Sequence, residues 1–351
     1  MDRIGLSINT RSETSDEELI AIAKLADEQG YHSFWAAESW GRDAFTILAM
    51  IACNTQNIGL ATGIVNVFSR TPALIAQSIA SLDIMSKGRA ILGLGSSGKI
   101  VVEGWHGVPF DFPLGRTREY VEIIRKALSG TPVDHQGKFY QMERFRMISP
   151  PVQERLPIYL ASLGPKNLAL TGEVADGWLG TSFVPEGAQS SMDALAKGAA
   201  RSGRMLADLD LCQGAEVAFA RDEAELHEML QRRKAGLAFS LGGMGSARTN
   251  FYNAAYARQG FADVAAESQA LWLAGRRDAA ASVIPDSMVM ATTLLGTESQ
   301  VADRLRVWED TGITQVRLYP AGETLDERLD TLGRALDLVR GLESSRSRES
   351  K

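Results

Sequence analysis

Short, nearly uninterrupted apolar runs alternate with longer helical patterns along most of this chain, and this alternation constrains the fold most. Eight short runs are interpreted as strands: residues 3–9, 33–38, 58–66, 89–97, 157–162, 176–181, 209–220 and 313–320. Strands that are apolar on both faces are typical of a parallel sheet covered by helices. Eight strand–helix units in series therefore favour a closed (β/α)8 barrel, the TIM-barrel architecture.

An open Rossmann-type sheet is the alternative architecture for alternating strands and helices. It requires a G-x-G-x-x-G turn after the first strand, with an acidic residue about 20 positions further on. The first turn of this chain reads NTRSETS instead (9–15). The barrel is therefore the better interpretation.

Helix boundaries are marked by residues that cap or start helices. Ser15 precedes a helical pattern with acidic residues in its first turn, and Gly30 follows that pattern. Asp43 is placed to cap the second helix, and Pro72 lies at the first position of the third. These residue types match the hydrogen-bonding needs of helix ends, so they predict where the first three helices begin.

The chain is longer than a minimal barrel. It has 351 residues, whereas a (β/α)8 barrel takes roughly 250. The surplus falls mainly in 235–290, which we interpret as a helical insertion after the seventh strand, lying over the barrel mouth. We predict one domain over residues 1–342, followed by a flexible tail at 343–351.

Charge and composition exclude several classes of protein. The net charge is −6 and the acidic and basic residues are intermixed, which argues against a nucleic-acid partner. The two cysteines, Cys53 and Cys212, have no metal-ligand spacing and suggest no disulfide framework. The N-terminus does not resemble a signal peptide and no long apolar run predicts a membrane span. We expect a cytoplasmic protein that acts on a small molecule.

Active sites of (β/α)8 barrels lie at the carboxyl ends of the strands. Glu38, Ser39, Trp40 and Arg42 follow the second strand within a few positions of one another. On the functional interpretation, Glu38 or Ser39 hydrogen-bonds a cofactor or a substrate. On the structural interpretation, Glu38 pairs with Arg42 and Trp40 packs under a loop. The sequence leaves both open.

Three further strand ends carry residues suited to a ligand. The third ends in Gly-Ile-Val-Asn (63–66), where a glycine marks either a bulge or a simple bend. The fourth ends in Gly-Ser-Ser-Gly (95–98), whose small residues leave backbone N–H groups open to an anion. The fifth is followed by Leu-Gly-Pro-Lys (163–166), which is either an ordinary turn or a phosphate site at a helix N-terminus.

Metal and hydrolase chemistry lack support in the sequence. The four histidines, His32, His106, His135 and His227, show no paired spacing, so we expect no metal site. We predict that His106 reaches the mouth and that the other three lie on the surface or in loops. No G-x-S-x-G elbow occurs, so a serine hydrolase is not indicated.

The block TGIVNVFSRTPALIAQSIASLDIMSKGRAILGLGSSG (62–98) resembles the matching block of the luciferase-like monooxygenase superfamily. It is most similar to the branch that uses the deazaflavin coenzyme F420, such as methylenetetrahydromethanopterin reductase. The segments AAESWGRDAFT, LGPKNLAL and ADGWLG extend the likeness over nearly the whole chain.

The resemblance implies a cofactor site residue by residue. It implies a non-proline cis peptide at Gly63–Ile64 that supports the deazaflavin ring. It implies cofactor contacts from Asn66 and from Ser96, Ser97 and Gly98. It implies a site for the phosphate-bearing tail at Leu163, Gly164 and Lys166.

The chain also departs from that branch. Its sugar-phosphate dehydrogenases carry Asp-His after the second strand, where this chain has Glu38-Ser39, and an acid where it has Gly98. A sugar phosphate is therefore not the expected substrate, and Glu38 or Ser39 is left to handle a proton.

The resemblance predicts an F420-dependent oxidoreductase that transfers a hydride between the deazaflavin C5 and a small organic substrate. An FMN-dependent monooxygenase that uses reduced flavin and oxygen is the first alternative. A non-catalytic F420-binding protein is the second. Dimers are common in the family, so we expect a homodimer.

Overall fold

A computed structural model of the chain describes residues 3–8, 14–246 and 249–349. Its strands are, in chain order, β1 (Arg3–Ile8), β2 (Ser33–Ala36), β3 (Gly59–Thr62), β4 (Val65–Asn66), β5 (Ala90–Gly95), β6 (Val133–Gln136), β7 (Gln141–Phe145), β8 (Ile158–Ala161), β9 (Gly177–Gly180), β10 (Asp210–Phe219), β11 (Leu294–Gly296) and β12 (Gln315–Pro320).

The main sheet is parallel and closes on itself. Its strands are hydrogen-bonded in the order β11, β10, β12, β1, β2, β3, β5, β8 and β9; β4 pairs with β5, and β10 also pairs with β9. All eight predicted strands are present, with β3 and β4 together forming the third. The predicted (β/α)8 fold class is confirmed.

Helices follow the strands in alternation. In chain order they are α1 (Asp16–Gln29), α2 (Ala44–Asn54), α3 (Pro72–Ser86), α4 (Lys99–Gly104), α5 (Pro113–Leu128), α6 (Pro165–Val174), α7 (Gln189–Arg201), α8 (Glu223–Ala238), α9 (Phe251–Tyr256), α10 (Ala262–Leu273), α11 (Arg277–Ser282), α12 (Asp286–Thr292), α13 (Glu298–Asp310) and α14 (Leu325–Glu349). Two π-helical segments, Phe239–Gly243 and Ala257–Phe261, lie between α8 and α10.

The first helices begin at the residues that the sequence indicates. Ser15 and Glu18 form a reciprocal capping box, with the Glu18 N–H 3.2 Å from Ser15 Oγ and the Ser15 N–H 3.0 Å from Glu18 Oε2. Gly30 ends α1 in the left-handed region at φ 82°. Asp43 accepts the Thr46 N–H at 2.7 Å. Local hydrogen bonding therefore sets these boundaries.

The described residues group into two compact units. One comprises residues 5–179 and 194–210, and it contains every predicted site residue. The other comprises residues 3–4, 180–193 and the described chain from 211 onward. In the second unit, helices α9 to α11 lie within the predicted insertion, and the end of α8 and most of α12 also fall in it. They pack around buried residues that include Leu237, Leu241, Met288 and Val289. That this segment lies over the mouth, and that residues 1–342 form one domain, stay predictions.

Two features differ from the sequence-based expectation. An antiparallel hairpin, β6–β7, follows α5, and its polar sequence carries no apolar alternation strong enough to predict it. His135 on β6 is buried, not on the surface, because it pairs with Glu119, with Nε2 3.3 Å from Oε2. Helix α14 ends at Glu349, and that residues 343–351 form a flexible tail stays a prediction. Within the described residues, none of the helices combines the length and apolar character needed to cross a membrane.

Candidate active site at the strand ends

A bulge interrupts the third barrel strand next to the predicted site. Ala61 is paired with Ile91, and the next described pair is Val65 with Leu94. Four steps along one strand therefore match three along the other, so β3–β4 carries one extra residue. The Gly63–Ile64 peptide inside the bulge is cis, as the resemblance implies.

Two glycines on β5 leave room for this bulge. The Thr62 hydroxyl donates to Gly93 O at 2.9 Å and accepts the Gly93 N–H at 2.8 Å, so it replaces the missing ladder bonds. A Cβ on Gly93 would lie 2.0 Å from Thr62 O, and one on Gly95 would lie 2.9 Å from Ile64 Cδ1. A larger residue at 93 would require the backbone of the bulge to move, whereas at 95 the side chain of Ile64 would have to shift.

Asn66 ends β4 and contacts His106, from the loop beyond α4. Its Oδ1 accepts the Phe68 N–H at 2.8 Å, and its Nδ2 lies 3.1 Å from His106 Nε2. Because Oδ1 is the acceptor, Nδ2 is the donor and His106 Nε2 accepts. The hydrogen of the neutral imidazole is therefore on Nδ1, where it is available to donate. The predicted approach of His106 to the strand ends is thus seen within this unit.

Glu38 is engaged by an arginine that the sequence did not indicate. Arg70 donates to both of its carboxylate oxygens, at 2.7 and 2.9 Å, and the Ala44 N–H donates to Oε2 at 3.1 Å. The interpretation that Glu38 pairs with Arg42 is wrong, because Arg42 instead contacts Asp16 at 2.6 Å. Nothing within a helical turn of Glu38 identifies a partner 32 positions away.

Arg70 also contacts Asp43, so it bridges two carboxylates. The hydrogen bond with Glu38, followed by the charges of Glu38 and Asp43, holds the pKa of Arg70 above its ordinary value, although burial opposes this. Burial by itself raises the pKa of Asp43, but Thr46 and Arg70 together hold it below its ordinary value. Both oxygens of Glu38 already accept hydrogen bonds from Arg70, so Glu38 is poorly placed to exchange a proton with a ligand.

The remaining predicted residues lie at neighbouring strand ends. Ser39 is half-buried, and its hydroxyl has no hydrogen bond among the described residues. Ser97 lies in the left-handed region at φ 57°, and Gly98 begins α4 without a side-chain cap. The Ser96 hydroxyl reaches Ser97 O at 3.4 Å. This segment exposes backbone groups rather than side chains.

The loop after β8 leaves the start of α6 open. Gly164 is the N-cap and offers no side chain, and a Cβ there would meet nothing within 4 Å. Leu163 and Lys166 flank it; Lys166 is exposed and forms no ion pair with any described residue. A lysine in the first turn opposes the helix dipole, so an anion bound there would offset that cost.

The predicted site residues therefore lie at or just beyond the ends of β2, β3, β4, β5 and β8, which all belong to one unit. Arg70 was not selected as a site residue from the sequence. Its position just beyond the end of β4 is where such residues are expected in this fold. Among the described residues, no group of three or more His, Cys, Asp or Glu side chains is arranged to hold a metal ion.

Comparison with known families identifies the family of this chain. Residues 3–315 match the family model of luciferase-like monooxygenases. The chain belongs to this family. The resemblance seen in the 62–98 block is therefore confirmed.

Relatives of this chain include a reductase and an oxidoreductase. A putative coenzyme F420-dependent oxidoreductase from Mycobacterium tuberculosis is 35% identical over 90% of this chain and 94% of its own. A 5,10-methylenetetrahydromethanopterin reductase from Methanolobus tindarius is 30% identical over the same shares. The solved coenzyme F420-dependent tetrahydromethanopterin reductase from Methanopyrus kandleri superposes with a TM-score of 0.81 at 24% identity, covering 94% of this chain and 97% of that one.

These names place this luciferase-like chain among enzymes. It is an oxidoreductase, which argues against the alternative of a non-catalytic binder.

Proposed function

We propose that this protein is a coenzyme F420-dependent oxidoreductase that transfers a hydride between the deazaflavin C5 and a small organic substrate. The observation that carries the proposal is the 35% identity, over 90% of the chain, to a putative F420-dependent oxidoreductase. The bulged, glycine-lined strand ends support it. The deazaflavin supplies the hydride chemistry, and the protein supplies position and shielding.

The residues at the bulge fit a flat ring. Gly63 and Ile64 form a ledge at the carboxyl end of β3, and Gly95 leaves the space beside Ile64 that a Cβ would fill. We propose that this ledge supports the ring, with Asn66 and the segment Ser96-Ser97-Gly98 at its edges.

The start of α6 fits the phosphate of the coenzyme. Leu163 and Gly164 bring the chain into the helix, no side chain occupies the cap, and Lys166 adds a positive charge in the first turn. We propose that the free backbone N–H groups and Lys166 hold the phosphate oxygens.

The proton that accompanies hydride transfer requires a donor or acceptor other than Glu38, which is saturated by Arg70 and the Ala44 N–H. Ser39 keeps a hydroxyl without a described partner. His106 presents Nδ1–H while Asn66 holds Nε2. We propose that Ser39 or His106 moves the proton and that Glu38 positions Arg70.

An FMN-dependent monooxygenase is the second candidate, because the family model itself is named for monooxygenases. This reading keeps the same ledge and phosphate site but requires reduced flavin and oxygen. Oxygen uptake with reduced FMN would favour it.

Titration of the purified protein with oxidised F420 and, separately, with FMN tests the assignment. Fluorescence should show micromolar or tighter binding of F420 and much weaker binding of FMN. Preference for FMN would transfer the proposal to the monooxygenase. Binding of neither would remove the proposed cofactor site and leave the fold alone.

We also propose that two copies of this chain associate through α2 and α3. Across both helices the only charged residue is Asp83, which is fully buried. The outward side of α3 exposes Leu74, Ile84 and Met85 by 44–49%. A face without exposed charge is electrostatically complementary to a copy of itself, as a two-fold interface requires.

A further inference from the structure

The hydroxyl of Tyr319, near the carboxyl end of β12, is held by a buried arginine. Arg317 precedes it by two positions on the same face of the strand and is 3% exposed. Its Nη1 donates to the Tyr319 hydroxyl oxygen at 3.3 Å, and its Nη2 donates to Gly180 O, at the end of β9, at 3.0 Å. A guanidinium has only donors. Tyr319 is therefore the acceptor in this contact, and its own hydroxyl hydrogen stays available for another group.

A second tyrosine in the chain receives the same contact but has no hydrogen to spare. The Tyr140 hydroxyl accepts from Arg116 Nη1 at 3.2 Å and lies 3.0 Å from the Tyr120 hydroxyl. Because the Tyr120 hydroxyl donates to Arg70 O at 2.5 Å, the hydrogen of the Tyr140 hydroxyl must go to Tyr120. Tyr319 has no such second partner among the described residues. Of these two arginine-bound tyrosines, Tyr319 is thus the one that can donate to a ligand.

The face of the sheet that carries Tyr319 is open to solvent. In register, Tyr319 is paired with Glu216 of β10, and Arg317 is paired with Gly214. Gly214, Glu216 and Tyr319 are each partly exposed, whereas the residues between them on the two strands, which face the other way, are buried. A Cβ on Gly214 would lie 2.9 Å from Tyr319 Cε2 and 3.1 Å from Arg317 Nη2, so the glycine leaves room for both side chains. Active sites of (β/α)8 barrels lie at this end of the strands.

The carboxylate beside Tyr319 is engaged elsewhere. Glu216 Oε2 lies 3.2 Å from Nε of Arg233, on α8, in an ion pair without hydrogen-bond alignment, and no described hydrogen bond joins Glu216 to Tyr319. Glu216 offsets one of two guanidinium charges, so Arg233 and Arg317 together leave one positive charge in excess. A hydroxyl donor backed by positive charge favours an oxygen that carries or develops negative charge.

We propose that the Tyr319 hydroxyl binds the carbonyl oxygen of the substrate, an aldehyde or a ketone, and that Arg317 is the residue that positions Tyr319. This inference rests on the proposed function. In that reaction the carbonyl carbon gains a hydride from the reduced coenzyme, the electron pair of the C=O π bond moves to the oxygen, and the oxygen takes up the proton whose carrier is proposed above, which gives an alcohol. The hydrogen bond from Tyr319 strengthens as negative charge develops on the oxygen.

The test uses 4-(dimethylamino)cinnamaldehyde, a coloured aldehyde whose absorption moves to longer wavelength when its carbonyl oxygen is polarised. We expect this red shift when the aldehyde is titrated into the full-length wild-type protein with oxidised F420 bound. Tyr319→Phe should abolish the shift and weaken binding of the aldehyde about three- to tenfold, as the loss of one hydrogen bond allows. Tyr140→Phe is the matched control, because it removes an arginine-bound hydroxyl without a hydrogen to give, and it should keep the shift.

Turnover provides a second measurement. With reduced F420, Tyr319→Phe should lower kcat for the same aldehyde about 100-fold and change KM much less, because the lost hydrogen bond is strongest in the transition state. Arg317→Lys keeps the charge but not the planar fork that joins Gly180 to Tyr319, so it should bind the aldehyde with a smaller red shift.

A red shift that survives in Tyr319→Phe, or the absence of a shift with the wild-type protein, would overturn the proposal. So would an equal loss of the shift in Tyr140→Phe, which would mark a general effect on the fold. Affinity for F420, followed separately by fluorescence, should be the same in the wild-type protein and in Tyr319→Phe; a loss in the variant would assign Tyr319 to the coenzyme instead. Failure of the wild-type protein to bind F420 would overturn the proposed function as well.

Discussion

Arg70, just beyond the end of β4, forms ion pairs with two carboxylates that follow β2. It contacts Glu38 and Asp43, and its backbone oxygen accepts the Tyr120 hydroxyl at 2.5 Å. The side chains of Arg70 and Glu38 are only 17% and 11% exposed. An ion pair at this depth contributes more than a surface pair, because removing one partner leaves the other poorly solvated.

Replacing Glu38 tests whether it positions Arg70 or carries a proton. Glu38→Gln should lower the free energy of unfolding by about 2 kcal/mol, between the values for exposed and buried pairs. Turnover should fall while the shape of the pH–rate profile is retained. Denaturant unfolding and steady-state kinetics measure the two effects.

Asp16→Asn is the control for Glu38→Gln, since it removes the exposed partner of Arg42 and should cost less than about 0.5 kcal/mol. Loss of one limb of the pH–rate profile in Glu38→Gln would instead assign the proton to Glu38.

Among the elements, the β6–β7 hairpin depends on one carboxylate from α5. Glu119 is buried and accepts the backbone N–H groups of Lys138, Phe139 and Tyr140 at 2.7–3.3 Å. Burial by itself raises the pKa of Glu119, but these N–H groups and His135 hold it below its ordinary value. The ionised carboxylate of Glu119 therefore holds the hairpin turn against α5.

The pH dependence of this anchor has a definite sign. A depressed pKa in the folded state stabilises the fold above the unfolded pKa near 4.3, and the contribution is lost as pH falls through the folded value. Wild-type unfolding free energy should therefore fall more steeply below about pH 4 than that of Glu119→Gln, which should already be lower by about 1–3 kcal/mol at pH 7.

Glu122→Gln, exposed on the same helix, should follow the wild-type pH curve. Equal acid sensitivity of Glu119→Gln and the wild-type protein would show that Glu119 is not the anchor.

A second prediction about a secondary-structure element concerns the bulge between β3 and β4. Gly93→Ala places a Cβ 2.0 Å from Thr62 O, which the backbone must move to accept, so we expect a loss of several kcal/mol or failure to fold. Gly164→Ala meets nothing within 4 Å and should change thermal stability by less than about 1 kcal/mol. Equal melting temperatures for the two variants would contradict the described bulge.

For the molecule as a whole, the proposed homodimer is open to a direct test. Ser81 is exposed on the uncharged side of α3, so Ser81→Arg would bring two like charges together across a two-fold interface. We expect the wild-type protein to be dimeric and the variant largely monomeric in light scattering after size exclusion. The control Glu28→Arg alters an exposed charge on α1 and should leave the mass unchanged. If the Ser81→Arg variant stayed dimeric, the interface would have to lie on a surface other than α2 and α3.

The sequence by itself determined the features whose causes are local. Apolar runs predicted all eight barrel strands, because burial on both faces leaves a continuous pattern. Ser15, Gly30, Asp43 and Pro72 marked helix ends correctly, because caps bond within one turn. The family followed from one contiguous block, residues 62–98.

Only the tertiary structure decided which side chains meet. Glu38 pairs with Arg70 and not with the nearby Arg42, Asn66 contacts His106 across 40 positions, and His135 is buried against Glu119. The β6–β7 hairpin likewise could not be predicted, because its polar sequence has no apolar alternation. Such contacts join residues far apart in sequence, and their partners are set by how strands and helices pack, which no local period or spacing records.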